Sequence, residues 1–455
     1  TPRQGKELRQ ALEAGRRVRL HAVVHTRHYD GVLPVISGRL PGTTEEEVVL
    51  TGHFDEFGAD DNCSQVAVAL EAVRALKTLL ASGALAPLQR GVRLLFPMEV
   101  RGLNALVQDP EETRRIRVGL NIDTVGTDQN AVTTECTLGE TFLACPSCVD
   151  DFAAELLDRI RTENPLFRWR FSPAEVIDNI LGEPLVGAPT PAIWHASATH
   201  HLALDTPERL SPRMLRHMAC LAATYAGFLA NAGAREAIWL AEVSADRGAR
   251  RMAEAAAVAL RATSDDDLLE LVRQVRSLHQ RYDQKVLSAA WFTGRTDVAA
   301  APHAFHQRAA SLRHALRAGC QQAEHRIARH ARALVLHPFP PHQTEVASAA
   351  LAPTKAFRGF LAFEDLSDEE RDTLQRELGI APAWGAPMWV QNALFLADGR
   401  RTLGEIAALL HLHSGVRIAP DTLQHLFRFL QARGKALLHP PSPPAPSDKT
   451  PPQRS

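Results

Sequence analysis

His53-Phe54-Asp55 and Gly58-Ala59-Asp60-Asp61-Asn62 follow the apolar run Val48-Val49-Leu50 and precede a stretch carrying Val66, Leu70, Val73, Leu76 and Leu80. The apolar run reads as a buried strand over 46–51, and the three-and-four spacing behind it as a helix over 64–80. A histidine and several carboxylates therefore occupy the loop between a strand and a helix. In open α/β sheets, sites gather beyond the carboxyl ends of strands. With further ligands downstream this is a metal site; without them it is a polar turn.

Working outward, residues 1–235 alternate strand and helix signals. Strands are predicted over 18–24, 46–51, 92–96 (ended by Pro97) and 118–123. Helices are predicted over 64–80, 149–161 and 211–230. Such alternation argues for an α/β layer with a largely parallel sheet. Residues 236–336 are rich in Ala, Arg, Glu, Gln and Leu, and amphipathic helices are predicted over 265–287 and 305–336. His303, His306, His314, His325 and His330 fall there without carboxylate partners at ligand spacing, so they read as a solvated helix face.

Segment 337–386 opens with His337-Pro-Phe-Pro-Pro-His342 and reads as linker and irregular chain. Residues 387–439 form a small unit with a winged-helix pattern. It holds one apolar element over 389–396, a turn at Asp398-Gly399, and a capping box from Thr402 to Glu405. A second helix over 421–433 is stopped by Gly434 and followed by a strand over 436–439. The Pro- and Ser-rich tail 440–455 reads as disordered.

A length of 455 residues suits about two to four domains. The formal net charge of -1 gives no basic field for nucleic acid or anionic lipid. The apolar stretch 218–234 is broken by Thr224, Tyr225 and Asn231, and reads as a buried helix rather than a membrane span. Six sparse cysteines form no disulfide framework. Cys145-Pro-Ser-Cys148 lacks the second pair a structural zinc needs, and loop or core cysteines are the plainer reading than a redox pair. A reducing compartment fits, and a cytoplasmic location is expected. The chain begins at Thr1, which leaves an upstream segment open. Walker A, GxGxxG and GxSxG signatures are absent.

Three further candidates sit at the ends of later elements. Glu99 follows the strand 92–96, Asp123 ends Leu120-Asn-Ile-Asp, and one histidine of His200-His201 precedes Asp205-Thr206. His53 offers an imidazole, and Asp55 stands where it can orient that ring. Asp61 can bridge two cations. Each residue alone is an ordinary polar strand end. Together they are a His/Asp/Glu set suited to a pair of zinc ions, with manganese or cobalt as alternatives.

In this order the motifs resemble the M28 zinc aminopeptidases, closest to a bacterial subgroup with a C-terminal winged helix. The resemblance covers 17–232 and extends to 387–438, where Asn392-Ala-Leu-Phe-Leu-Ala-Asp-Gly-Arg-Arg-Thr402 is similar to the subgroup's tail. It implies a three-layer α/β sandwich with a zinc-peptidase-like, largely parallel sheet. It also implies that His53, Asp61, Glu99, Asp123 and His201 hold two metal ions, with Glu99 and Asp55 serving catalysis. His201 is chosen over His195 and His200 because it stands four residues before Asp205-Thr206, as the family's ligand does. By the same resemblance Asp178-Asn179 borders the substrate pocket; as bare sequence it is a polar turn.

The chain departs from the pattern at Pro97-Met98-Glu99-Val100. The family carries adjacent acids there, one as general base and one as ligand. Met98 cannot accept a proton. Either Glu99 is a ligand and no base remains, or Glu99 is the base and a ligand is missing. Cys63 and Gln65 stand where the family prefers small residues.

Two readings follow. One is a metal-dependent aminopeptidase or related amide hydrolase, acting on short peptides or amino-acyl conjugates by metal-activated water. The other is a degenerate, weakly active or inactive M28-like protein that binds a peptide or partner. The helix over 421–433 begins acidic, so the winged helix reads as a protein-contact module rather than a DNA reader. No membrane partner is expected, and oligomerisation is left open.

Overall fold

The computed structural model describes residues 2–27, 29–132, 134–172, 180–195, 197–262, 264–293, 301–333, 351–362, 366–380 and 386–441. The chain divides into two compact units, Thr1–Leu33 and Pro34–Ser455. The first holds helix α1 (Pro2–Glu13) followed by irregular chain. The strand expected over 18–24 is not formed. Leu20, Val23 and Val24 are exposed there and pair with no neighbour. Arg19 and His21 between apolar residues imitate the alternation of a half-buried strand, but a strand needs a partner for its backbone groups.

The second unit is built on a seven-stranded sheet. Its strands are β1 (Val35–Leu40), β2 (Glu47–Thr51), β3 (Gly91–Pro97), β4 (Ile116–Ile122), β5 (Cys136–Gly139), β6 (Trp169–Ser172) and β7 (Ala192–His195). The order across the sheet is β1-β3-β2-β4-β7-β5-β6. The pairs β2–β3, β2–β4, β4–β7 and β5–β6 are parallel, while β1–β3 and β5–β7 are antiparallel. The sheet is thus largely parallel, as expected. Continuous apolar runs at 48–50 and 94–96 mark strands buried on both faces.

Alternation along β2 shows what covers each face. Val48 and Leu50 join a core with Val68 and Leu76 of helix α2 (Cys63–Ala81). Helix α3 (Arg101–Gln108) and the single turns α4 (Pro110–Thr113) and α5 (Gln129–Val132) follow in sequence. Phe152 of helix α6 (Cys148–Glu163) and Tyr225 of helix α7 (Pro212–Asn231) complete the first face. Gly227 lets α7 approach α2 closely, since a Cβ there would lie 2.8 Å from Leu76 Cδ2. Val49 points the other way, toward Val100 before α3, Leu103 of α3, Leu181, and Phe360 from the C-terminal part of the chain.

Helices α8 (Ala234–Val258), α9 (Asp265–Ser288) and α10 (Ala301–Ala333) fill the expected helical region. Ser264 caps α9, its Oγ accepting Asp267 N at 3.2 Å, and three aspartates complement the first turn. Met252, Tyr282, Phe305 and Ile327 belong to the same continuous core as the sheet. A buried ionic knot reinforces this junction. Lys285 Nζ, wholly buried, lies 2.9 Å from Glu140 Oε1, 3.1 Å from Asp150 Oδ2 and 3.5 Å from Asp151 Oδ1. His303, His306, His314 and His325 are exposed, as a solvated face requires, whereas His330 is half-buried with Nε2 3.5 Å from Ala262 O.

The C-terminal part contains β8 (Ala352–Lys355), α11 (Asp368–Leu378), α12 (Met388–Leu396), α13 (Leu403–Ser414), α14 (Pro420–Gln431) and β9 (Ala436–His439). The capping box at Thr402 and Glu405 is formed, with the Glu405 amide donating to Thr402 Oγ1 at 3.2 Å. Segment 337–386 is not simply irregular. It supplies β8, which pairs antiparallel with β9, and α11, which ends at Gly379 with φ 64. The short β8 contains Pro353 and carries no sequence signal of its own, because its partner lies about 80 residues on. The His337–His342 motif, Asp178-Asn179 and the tail beyond 441 lie outside the described residues.

Residues 351–362 form a strap across α3. Arg358 donates from Nε to Val107 O at 2.6 Å, from Nη1 to Leu185 O at 2.9 Å and from Nη2 to Thr113 Oγ1 at 2.6 Å. Phe360 N donates to Asn104 Oδ1 at 3.1 Å. Lys355 Nζ meets Glu183 Oε2 at 2.9 Å. No helix among the described residues is long and apolar enough to cross a membrane.

Candidate metal centre

The loop after β2 turns at Gly52, where a Cβ would lie 2.6 Å from Ile122 O. His53 follows, buried, with its backbone carbonyl bonded by Gln65 Nε2 of α2. Gln65 thus has a structural task, although the family pattern places a small residue there. His53 Nδ1 lies 3.4 Å from Asp55 Oδ1 and 2.8 Å from Asn62 Nδ2. Asp55 Oδ1 also accepts Glu99 N at 2.9 Å, so one carboxylate ties the ends of β2 and β3 together.

The next turn separates the paired aspartates. Asp60 accepts Gly126 N at 2.7 Å and the Thr127 hydroxyl, which turns its carboxylate away from His53. Asp61 is left facing the centre. Asp205 holds this turn, its Oδ1 accepting Asp60 N at 2.9 Å and its Oδ2 accepting Asp61 N at 3.0 Å. Gly58 is obligatory beside it, because a Cβ there would sit 1.9 Å from Asp205 Oδ2. The Asp61–Asn62 peptide is cis.

Among the described residues, two donor groups share Asp61. One is His53, Asp61 and Asp123; the other is Asp61, His200 and His201. His53 Nε2 lies 3.9 Å from Asp61 Oδ1 and 3.8 Å from Asp123 Oδ1. His200 Nδ1 and His201 Nε2 lie 3.1 and 3.3 Å from Asp61 Oδ2, with the two rings stacked at 3.7 Å. Asp61 is almost wholly buried, yet its Oδ2 accepts no properly aligned hydrogen bond. Donor atoms that converge on one buried carboxylate have the arrangement of ligands around a common point.

Glu99, expected as a ligand, is in neither group. It stands just past β3, partly exposed, before a turn at Val100 with φ 46. Positive φ is costly for a β-branched residue, and burial of Val100 against Val49 and Leu103 holds it. Among the described residues, His201, with φ 56, is the other non-glycine residue in this conformation. Both flank the same centre. His195, the alternative ligand, is buried at the end of β7 with Nδ1 3.2 Å from Thr124 O, outside both groups. Burial pushes its pKa down to about 4.

Glu56 was not a sequence candidate. Its N–H donates to Asn62 Oδ1 at 2.8 Å, and its Oε2 lies 3.0 Å from His201 Nε2. The available signal was an extra acid directly after His-x-Asp, in a loop pinned at both ends. Burial, then a hydrogen bond and repulsion from Asp61, then the charges of Glu99 and Asp123, push Glu56 up to about 9. Asp123 rises to about 7, through burial first and then mainly Asp61. The charges acting most on both groups are negative. Carboxylates gathered in this way need protons or a cation to neutralise them, and the mixed imidazole and carboxylate donors suit a transition dication.

The cysteine pair lacks the lowered thiol pKa of a redox motif. Burial pushes both Cys145 and Cys148 up to about 12, so neither forms thiolate readily.

Residues 35–226 match peptidase family M28. The matched segment runs from the start of β1 into α7 and contains every donor named above. Among solved structures, a zinc aminopeptidase from Bacillus subtilis is 21% identical over 43% of this chain and 50% of that one, with a TM-score of 0.35. The LapA aminopeptidase of Legionella pneumophila is 17% identical over 41% and 52%, with a TM-score of 0.33. A glutaminyl cyclase from Tannerella forsythia is 15% identical over 43% and 78%, with a TM-score of 0.33. The chain spans about half the length of the first two. No curated protein matches it.

Proposed function

We propose that the M28 segment is a metal-dependent, di-zinc aminopeptidase or related amide hydrolase acting on short peptides or amino-acyl conjugates. The observation that carries this reading is Asp61, a buried carboxylate shared by two donor groups. Asp61 and Asp123 with His53 would hold one cation, and Asp61 with His201 the other. When bound, such a pair polarises a carbonyl and lowers the pKa of water.

The chain's own groups do the rest. Asp55 positions the His53 ring and, through Glu99 N, the backbone that carries Glu99. Glu99, partly exposed and close enough for its charge to act on Glu56 and Asp123, supplies a further carboxylate at the centre. Asp205 and Gly58 hold the Asp61 turn. The C-terminal helices with β8 and β9 serve as a winged-helix-like protein-contact module.

Met98 supports a second reading, a degenerate member that binds peptide without efficient turnover, because a thioether cannot accept a proton. Zinc stoichiometry and hydrolysis of aminoacyl-p-nitroanilides, with and without added zinc, separate the two. Hydrolysis that requires zinc supports the first reading. Two bound equivalents with no hydrolysis of any amide refute it, and a Met98→Glu variant that gains activity locates the defect.

A further inference from the structure

We propose that Glu56, a residue the family pattern does not assign, is a ligand of the second cation beside Asp61 and His201, and that this frees Glu99 to act as the base. The inference rests on the metal-hydrolase reading and deepens it. It resolves the conflict at Met98-Glu99, where one acid has to fill two roles.

Tetrahedral donors at zinc distances of 2.0–2.2 Å are separated by about 3.3–3.6 Å. His201 Nε2 lies 3.3 Å from Asp61 Oδ2 and 3.0 Å from Glu56 Oε2, so its ligating nitrogen is flanked by two carboxylates at nearly that spacing. The Asp61 oxygen involved is buried and accepts no aligned hydrogen bond, which independently marks a ligand position. His200 Nδ1 approaches the same oxygen at 3.1 Å. Neither Glu56 nor Glu99 belongs to either donor group, but Glu56 Oε2 reaches His201 Nε2 at 3.0 Å, whereas the Glu99 backbone is committed to Asp55 and to the strained turn at Val100.

The charge count also balances. Asp61 shared, Asp123 on one side and Glu56 on the other give each dication two carboxylates and at least one imidazole. The loop favours the placement, because the Glu56 amide is anchored on Asn62 Oδ1 and Asn62 in turn bonds Asp61 Oδ1 at 2.8 Å. Glu56 therefore comes from the same pinned loop as His53 and Asp61.

The test is a zinc titration of the full chain, read as stoichiometry and affinity by calorimetry and by metal analysis after gel filtration. Wild type, Glu56→Gln, Glu56→Ser and Glu99→Gln are compared, with the metal-free thermal midpoint reporting folding. The Asn62 anchor of the backbone survives each substitution at Glu56. Two equivalents are expected for wild type and Glu99→Gln. For both Glu56 variants the second zinc weakens by more than about 100-fold, since even partners one step removed from a ligand are worth 10–100-fold. Retention of both zincs by a folded Glu56 variant overturns the assignment and leaves an ordinary His201 ion pair. Loss of zinc by Glu99→Gln, or a wild type that holds fewer than two, also overturns it. Hydrolysis is scored separately. Two zincs without turnover refute the hydrolase reading while leaving the ligand assignment standing.

Discussion

Asp205→Asn is the most informative single substitution outside the donor set. Asp205 touches neither His53 nor Asp123, yet it accepts Asp60 N at 2.9 Å and Asp61 N at 3.0 Å, both buried. Asparagine keeps the shape and one acceptor. Its amide nitrogen then faces an N–H where an oxygen stood, and one charge-assisted bond is lost. Hydrogen bonds to charged groups are worth about 1.5–3 kcal/mol. If that energy serves to hold Asp61 in place, zinc binding weakens by about 10- to 150-fold, at 1.4 kcal/mol per tenfold. Competition with a chromophoric chelator measures this directly. Gly58→Ala should act alike, because its methyl would occupy the space of Asp205 Oδ2. Zinc affinity within threefold of wild type in both variants, with unchanged thermal midpoints, would refute the claim that this clamp sets the centre.

The remaining predictions concern the scaffold. Lys285→Met leaves Glu140, Asp150 and Asp151 buried without their shared cation and should cost about 3–5 kcal/mol in denaturant unfolding; a loss below about 1 kcal/mol contradicts the knot. His413 is pushed down to about 3 by burial and then by Arg281 and Arg273, below the ordinary value of 6.5. Its neutral form is favoured in the fold, so stability is full above pH 6.5 and falls as pH drops toward 3. The slope reaches about 1.4 kcal/mol per pH unit, and His413→Asn should remove it from unfolding free energies measured between pH 4 and 6. Arg358→Ala deletes three hydrogen bonds from the strap to Val107, Leu185 and Thr113. It should lower the thermal midpoint and, by loosening α3, reduce turnover more than zinc affinity; unchanged turnover would disconnect the strap from Glu99.

The central strand–loop–helix was legible because β2 carries the apolar run 48–50 and α2 has apolar residues at helical spacing, although the face it buries runs through Val68, Ala72 and Leu76 and leaves Leu70 exposed. Those signals are local. The four-residue strands β5, β6 and β7 escaped, being set by neighbours rather than by their own pattern. The segment 18–24 failed in the opposite sense, with a local pattern and no partner. At the centre, His53, Asp61 and Asp123 were readable as acids and an imidazole at strand ends, and the structure draws them together. Glu56 was not readable, because its reach depends on loop anchors at Asn62 and Asp55. Glu99 was found as a residue, but its direction is decided by the turn at Val100, which no residue type announces.

The strap over α3 bears on how the chain is made. Residues 351–362 leave the ribosome after the whole sheet and all seven of its strands have been synthesised. Until they dock, that face of the sheet lacks the Phe360 part of its cover, and α3 lacks the Asn104 and Val107 contacts made by the strap. The β8–β9 pairing waits longer still, for residues 436–439. Nascent chains halted before residue 351 would therefore carry all the metal donors on an unfinished support. Cation capture and full competence become separate events in biosynthesis, the first open to a growing chain and the second reserved for a nearly complete one.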